Sequence, residues 1–143
     1  MNKESIRARQ RARKLLVQAL YQWNMTAYAP SEIEAQFRVA KDMEKVDTEY
    51  FCRILYGVVA HHEEIDAKID ENLDRGFEVL QGVELSAMRM GAFELLFCLE
   101  TPYRVILDEC IQLTKHFGSQ DGHRYVNGIL HAIARQARAI EME

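Results

Sequence analysis

The sequence predicts an all-α protein, and three observations support that prediction. Nearly every long segment repeats its apolar residues at helical spacing, with little of the alternation that strands show. Only two prolines and seven glycines interrupt the 143 residues. Apolar residues make up 48% of the chain and charged residues 28%, as in globular proteins. We therefore expect about seven helices arranged in two small packed bundles.

The first helix is expected to run from about Ser5 to Ala27 and to stop before Pro30, because the residue preceding a proline disfavours helical conformation. Its core-facing stripe is expected to consist of Ala12, Leu15, Leu16, Ala19, Leu20 and Trp23. Ser31 and Glu34 form the S-x-x-E pattern of a capping box. This pattern predicts that a second, short helix begins there.

Two further helices complete the first half of the chain. Asp47 is placed to cap the third helix, and a fourth, mainly polar helix is expected to end near Gly76. The helical pattern restarts after Gly82, so we expect the seam between two halves at this point. The single domain of residues 1–143 then consists of an N-terminal half, about 1–76, and a C-terminal half, about 82–143.

The second half shows three more helical stripes. The fifth runs from about Leu85 until Thr101 and Pro102, a pair suited to ending one helix and starting the next. The sixth helix is expected to end at Gly118, since glycine commonly follows a helix C-terminus. Asp121, in the polar loop that follows, is placed to cap the seventh.

Charge is distributed unevenly along the chain, whose formal net charge is −4. Residues 1–14 carry six bases against one acid, whereas residues 32–109 hold eighteen acids and eight bases. A basic start on an otherwise acidic protein indicates a local binding site for a polyanion. The alternative is a basic terminus that is simply solvated.

A helical wheel separates the charges of the first helix. One face, away from the core stripe, carries Arg7, Arg11, Lys14, Gln18 and Tyr21. Arg9 and Arg13 lie on the far side of the stripe, so cations surround the first two turns. Since a helix charged all round is not buried, we expect these turns to project beyond the core or to fray into an arm.

Tyr21 is a large aromatic residue placed on the cationic face. Cations attract phosphates without regard to sequence, and an exposed ring offers a stacking surface to an unpaired base. This combination is typical of a site for single-stranded RNA. The alternative is that the ring packs against another helix and leaves only its hydroxyl at the surface.

Four separated segments of the sequence are informative when taken together. They are RARKLLVQALYQW (Arg11–Trp23), GVELSAMRMGAFEL (Gly82–Leu95), TPYRVILDECIQLTKHFGS (Thr101–Ser119) and RYVNGILHAIA (Arg124–Ala134). In order, at appropriate spacing and over essentially the whole chain, they resemble the NusB family of bacterial transcription antitermination factors. The resemblance implies a NusB-like fold and a non-catalytic factor. Such a factor binds boxA-type RNA with the ribosomal protein NusE and joins an RNA polymerase complex that promotes antitermination in ribosomal RNA transcription.

The resemblance also implies site residues. The RNA-binding positions are Arg7, Arg9, Arg11, Arg13, Lys14, Tyr21, Asp121 and Tyr125, to which the wheel adds Gln18. The partner surface falls on Glu84, Arg89 and Glu94. For the last two the alternative is a structural ion pair between helices, and Glu84 would also complement a helix dipole. Asp108 departs from the usual asparagine of the family and argues against RNA contact nearby.

Other chemistry finds little support in the sequence. There is no P-loop, dinucleotide-binding turn, nucleophile elbow or H-E-x-x-H motif, so we expect no enzyme and no cofactor. The run of residues 61–64, HHEE, is expected to be a solvated helix end rather than a metal site, because no second cluster supplies further ligands. Cys52, Cys98 and Cys110 form no C-x-x-C pair and are expected to be reduced core thiols.

No apolar stretch is long enough to span a membrane and no signal-peptide segment follows the charged start, so we expect a cytoplasmic protein without a membrane partner.

Two rival functions stay open. One is the RNA-targeting domain of an rRNA methyltransferase, although 143 residues leave no room for a cofactor-binding domain. The other is a self-associating protein whose arginine face is hidden in a homodimer.

Overall fold

The computed structural model describes residues 1–74, 82–119 and 121–143, and within them the chain forms seven α-helices and no strand. The helices are α1 (Lys3–Thr26), α2 (Pro30–Ala40), α3 (Thr48–Ala60), α4 (His62–Glu71), α5 (Gly82–Phe97), α6 (Tyr103–Phe117) and α7 (Gly122–Ala137). The all-α prediction is therefore confirmed for this part of the chain. None of these helices is long and apolar enough to cross a membrane.

The central element is α5, which packs against α1, α3, α4, α6 and α7. Every residue from Leu85 to Leu95 is buried, so these turns have no solvent face. The buried apolar side chains of all seven helices form one cluster around it. Because Arg89 and Glu94 lie on this buried stretch, each of them needs a polar partner inside the protein.

Most helix ends follow the predicted signals. The side chain of Asn2 accepts a hydrogen bond from the Ser5 N–H at 2.8 Å and starts α1 slightly earlier than expected. Asp47 caps α3 as predicted, accepting from the Tyr50 N–H at 3.0 Å. Before Gly118, α6 ends as expected, and Asp121 occupies the N-cap position of α7 without a side-chain capping bond.

The predicted start of the second helix is wrong. The N-cap position belongs to Ala29, two residues before Ser31, and α2 begins at Pro30, whose fixed φ suits the first turn of a helix. The Glu34 carboxylate faces other groups, accepting hydrogen bonds from Arg38 at 2.7 Å and from the Tyr56 hydroxyl at 2.6 Å. The helix end predicted near Gly76, and the seam as far as residue 81, lie outside the described residues.

An arginine that the sequence analysis missed closes the C-terminus of α5. Arg138 is 5% exposed, and its guanidinium donates to the carbonyl oxygens of Glu94, Leu95, Cys98 and Thr101 at 2.8 to 3.1 Å. Two of these carbonyls also accept a backbone N–H, that of Glu94 from Cys98 at 2.9 Å and that of Cys98 from Thr101 at 3.0 Å, and the guanidinium adds a further donor at this helix end. Arg138 thereby fixes the end of α7 to the turn between α5 and α6.

Two of the three cysteines lie in the core, as the sequence suggested, and Cys52 does not. Cys98 and Cys110 are buried and Cys52 is half-buried, all as free thiols. Burial raises the pKa of the Cys98 thiol to about 11 and also raises the pKa of Cys110.

Candidate nucleic-acid interface

The solvent side of α1 carries the five side chains that the wheel grouped together. Arg7, Arg11, Lys14 and Tyr21 are exposed, and Gln18 is half-buried. Tyr21 keeps 41% of its surface open to solvent, so its ring is available for stacking. The face follows from the packing of α1, because the opposite side of the same turns is buried against α3 and α5.

Arg9 lies on a different side of α1 and contacts α3. Its guanidinium carbon is 4.1 Å from the centroid of the Tyr50 ring, and its Nε is 3.6 Å from the Asp47 carboxylate. The Asp47 N–H also donates to the Ala8 carbonyl at 3.0 Å. The second turn of α1 is thus held against the start of α3 and does not project as the expected arm.

Arg13 is buried, which corrects its assignment to the RNA-binding face. Only 2% of the residue is exposed, and its Nε donates to the Glu94 carboxylate at 2.9 Å. The hydroxyl of Tyr50 donates to the same carboxylate oxygen and lies 3.4 Å from Nη2 of Arg13. Burial lowers the pKa of Arg13, but the adjacent carboxylate outweighs this effect and raises the pKa above its ordinary value. The Glu94 carboxylate therefore acts as the internal counter-ion that compensates for the burial of the Arg13 guanidinium.

Arg89 and Glu94 do not form the surface for a partner that was expected of them. Glu94 is fully buried in the pair with Arg13. Arg89 is 6% exposed and contacts Asp66 through two hydrogen bonds of 2.9 Å. It also donates to the Asn24 side chain at 2.9 Å and lies over the Trp23 ring. Both residues tie α5 to neighbouring helices, which is the structural alternative raised from the sequence.

Glu84 holds the loop between α6 and α7 against the first turn of α5. Its Oε1 accepts from the N–H of Ser119 at 3.0 Å and from the hydroxyl of Ser119 at 2.7 Å. Partial burial favours the neutral acid, but these two donors keep the pKa of Glu84 below its usual range. A Cβ at Gly122 would lie 2.3 Å from the same oxygen, so a larger residue there would displace the Glu84 side chain from this position.

Asp121 and Tyr125 lie at the start of α7, beside this loop. Asp121 is exposed, and Tyr125 is half-buried with its hydroxyl donating to the Asp74 carboxylate at 3.2 Å. The end of α6 connects them to the cationic face, because Lys14 Nζ is 5.9 Å from the centroid of the Phe117 ring. The face of α1 and the start of α7 thus flank the same end of α6.

Five residues around that end were missed in the sequence analysis. Lys115 and His116 are exposed and Phe117 is half-buried at the end of α6, while His123 is half-buried and Arg124 exposed at the start of α7. The sequence did contain a signal, since K-H-F and H-R flank one short polar loop in an otherwise acidic chain. The proximity of Phe117 to Lys14 depends on tertiary packing and is not visible in sequence.

Within the run of residues 61–64, His61 contacts both a carboxylate of the same run and an aromatic ring. His61 Nδ1 is 3.6 Å from the Glu64 carboxylate, and its ring packs 4.5 Å from that of Phe97. Across residues 1–74, 82–119 and 121–143, no group of three or more His, Cys, Asp or Glu side chains is placed to hold a metal ion.

Fold and surface together define a class: an all-α protein whose first helix presents cations and an aromatic ring to solvent, as nucleic-acid-binding proteins do. Comparison with known proteins narrows the class to a family. A family model described as the NusB family matches residues 10–135. Transcription antitermination protein NusB of Legionella pneumophila (strain Corby) is 54% identical over 142 residues, covering 99% of this chain and 97% of that protein.

Solved structures agree with the sequence comparison. NusB of T. maritima superimposes with a TM-score of 0.80 at 27% identity, covering 93% of this chain and 95% of that one. A chain from a structure described as antitermination factors NusB and NusE in complex with dsRNA gives a TM-score of 0.76 at 27% identity, with 91% and 98% coverage. The chain belongs to the NusB family, which confirms the resemblance found in its sequence.

Proposed function

We propose that this chain is a non-catalytic, RNA-binding antitermination factor. It binds boxA-type single-stranded RNA together with the ribosomal protein NusE and promotes antitermination in ribosomal RNA transcription as part of an RNA polymerase complex. Membership of the NusB family supports the general role. The solved complex of NusB and NusE with dsRNA supports RNA and NusE as the two kinds of partner, whereas the choice of a single strand is argued from the surface of α1.

One observation carries the RNA-binding part of the proposal: the exposed face of α1. After Arg13 is removed from the predicted set, Arg7, Arg11 and Lys14 still present three cations on one side of the helix, next to Tyr21. Cations alone bind any phosphate backbone, whether paired or unpaired. An exposed ring adds stacking energy only when a base is unpaired, and Tyr21 is therefore the reason to propose a single strand.

The mechanism that we propose is assembly on a fixed body. RNA engages α1 and the adjoining loop before α7, and NusE docks near Glu84 at the start of α5. When two ligands bind one rigid protein and also contact each other, each increases the affinity for the other by the same factor. No group of the protein needs to change covalently for this role.

The two rival functions are less well supported. The match to the Legionella pneumophila protein covers 97% of that protein, which is named a transcription antitermination protein. This match does not favour the methyltransferase alternative. A homodimer that hides the α1 face would bind RNA only by dissociating, and light scattering with and without RNA distinguishes that case.

The test is RNA binding measured with and without purified NusE, using boxA RNA and a scrambled strand of the same length and composition. We expect NusE to increase the affinity for boxA RNA by a larger factor than the affinity for the scrambled strand. Charge is identical in the two strands, so the difference isolates sequence recognition. Equal affinities for both strands in the presence of NusE would contradict the proposed function.

A further inference from the structure

A depression in the surface lies beside Tyr21 and is formed by three helices. It is lined by Val17, Gln18 and Tyr21 of α1, Gly82 and Val83 of α5, and Phe117 of α6. We propose that this depression holds one unpaired nucleobase of the bound strand, with the rings of Tyr21 and Phe117 as its walls and the Gln18 amide at its polar edge. The inference depends on the proposed function, because it assumes that the chain binds single-stranded RNA.

The lining has the apolar character that the face of a base requires. Val17 is buried beneath the depression, while Val83 and Phe117 are half-buried and pack on the core. Every base has a π-face, so two aromatic walls accept a base regardless of its identity. The tyrosine at 41% exposure leaves part of its ring free for that contact.

Gly82 keeps the space beside Tyr21 open. Its φ is +72°, a conformation that residues with a side chain rarely adopt. A Cβ at this position would lie 3.9 Å from Cε2 of the Tyr21 ring, within van der Waals contact. A larger side chain at position 82 would therefore occupy the volume alongside the ring that we assign to the base.

Gln18 supplies the polar contact. Its Nε2 donates to the Lys14 carbonyl at 3.3 Å, which orients the amide and leaves Oε1 as an acceptor. An acceptor at the edge of an apolar depression suits an N–H group on the edge of a base. Aromatic walls would provide affinity, and the amide would provide a preference among bases.

The surrounding charge favours a nucleic acid as the occupant. Lys14 Nζ lies 5.9 Å from the Phe117 ring centroid, and Arg11 continues the cations along α1. Lys115 and His116 precede Phe117 on α6 and are exposed. A phosphate beside a bound base would meet the positive charge of Lys14, whereas an apolar side chain of a protein partner would gain nothing from that cation.

The test replaces each nucleotide of boxA RNA in turn by an abasic residue and measures binding to the full chain without NusE. For the wild-type protein we expect one position at which base removal costs about 5- to 150-fold in affinity, the range for loss of one stacked base. In Phe117→Leu the loss at that position should shrink while losses elsewhere stay the same. Phe97→Leu is the matched control, because Phe97 is also a half-buried phenylalanine at a helix end and contacts His61.

A second variant, Gln18→Met, tests the polar edge and avoids disturbing the core. We expect it to keep the abasic penalty at the same position but to reduce the preference among the four bases there by roughly 2- to 10-fold, the contribution of one neutral hydrogen bond. The inference is overturned if neither Phe117→Leu nor Gln18→Met changes the response at any single position. It is also overturned if Phe117→Leu weakens only the binding of NusE, because the depression would then be a peptide site.

These outcomes separate the inference from the proposed function. If the wild-type chain binds boxA RNA no better than a scrambled strand, even with NusE present, the proposed function fails and the inference fails with it. If boxA binding is normal but no nucleotide couples to Phe117 or Gln18, only the base-binding depression is wrong.

Discussion

Glu94 is a carboxylate in the last turn of α5, on the stretch that has no solvent face. Burial raises its pKa, whereas the Arg13 guanidinium and the Tyr50 hydroxyl both stabilise the ionised form. The pair joins α1 to α5, and Tyr50 adds α3 to the contact. Separating two such charges inside a protein is costly, because either one alone would be buried without compensation.

We therefore predict that Glu94→Gln lowers the free energy of unfolding by about 3 to 5 kcal/mol, as expected when one member of a buried ion pair is removed. Urea denaturation followed by circular dichroism measures the change. Glu100→Gln is the matched control, because Glu100 pairs with Arg53 at the surface and both side chains are exposed. The control should cost no more than about 1 kcal/mol. Similar decreases in the free energy of unfolding in both variants would show that the buried pair contributes no more to stability than the surface pair.

At the scale of single elements, α1 has two kinds of cation on one helix. Arg9 and Arg13 contact α3 and α5, and their charges are already balanced by Asp47 and Glu94. Arg7 and Lys14 are exposed on the other side. Among the residues that the structure describes, Arg7 and Lys14 have no such internal partner, so they can contact phosphates and release the counter-ions of a bound strand. The salt dependence of RNA binding should therefore come from that side of the helix.

The double variant Arg7→Gln/Lys14→Gln tests this division. The slope of log affinity against log salt should become shallower by about 1.4, since each phosphate contact on a single strand contributes about 0.7. Arg104→Gln/Arg135→Gln removes two exposed charges from other faces and serves as the control. The control should leave the slope almost unchanged. Equal changes in slope would mean that net charge, and not the α1 face, governs RNA binding.

The helices themselves were largely predictable because their signals are local. Apolar spacing located the long helices, and Asp47 and Gly118 marked ends that the structure confirms. Where two local signals competed, the choice was wrong: Pro30 starts α2 and overrides the capping pattern of Ser31 and Glu34. A proline at the first helical position needs no partner, whereas a capping box needs two hydrogen bonds to form together.

The interior polar contacts were not predictable from sequence. A wheel shows only that Arg13 lies beside the core stripe, and its partner Glu94 is 81 positions away along the chain. The same holds for Arg138, whose four carbonyl partners lie about 40 residues earlier. The exposed face with Tyr21 was predictable because it depends only on helix geometry, but the proximity of Phe117 to Lys14 was not.

At the scale of the whole molecule, buried polar contacts fix the helices around α5. Arg89 joins α5 to α1 and α4, and Arg138 joins α7 to the end of α5. Glu84 fixes the loop before α7 to the start of α5. The α1 face and the loop are therefore held in one geometry before any ligand arrives, which reduces the ordering cost of binding a strand across both.

The most direct measurement of the central claim is the affinity of boxA RNA, at fixed salt, for the Tyr21→Ala and Tyr28→Ala variants. The two tyrosines are similarly exposed, at 41% and 45%, but only Tyr21 lies on the cationic face of α1. We predict that Tyr21→Ala weakens binding by about 1 to 3 kcal/mol, the cost of losing one stacking contact, with little change in stability. Tyr28→Ala should bind as the wild type does. Unchanged affinity in Tyr21→Ala, or an equal loss in both variants, would contradict the claim that this face holds an unpaired strand.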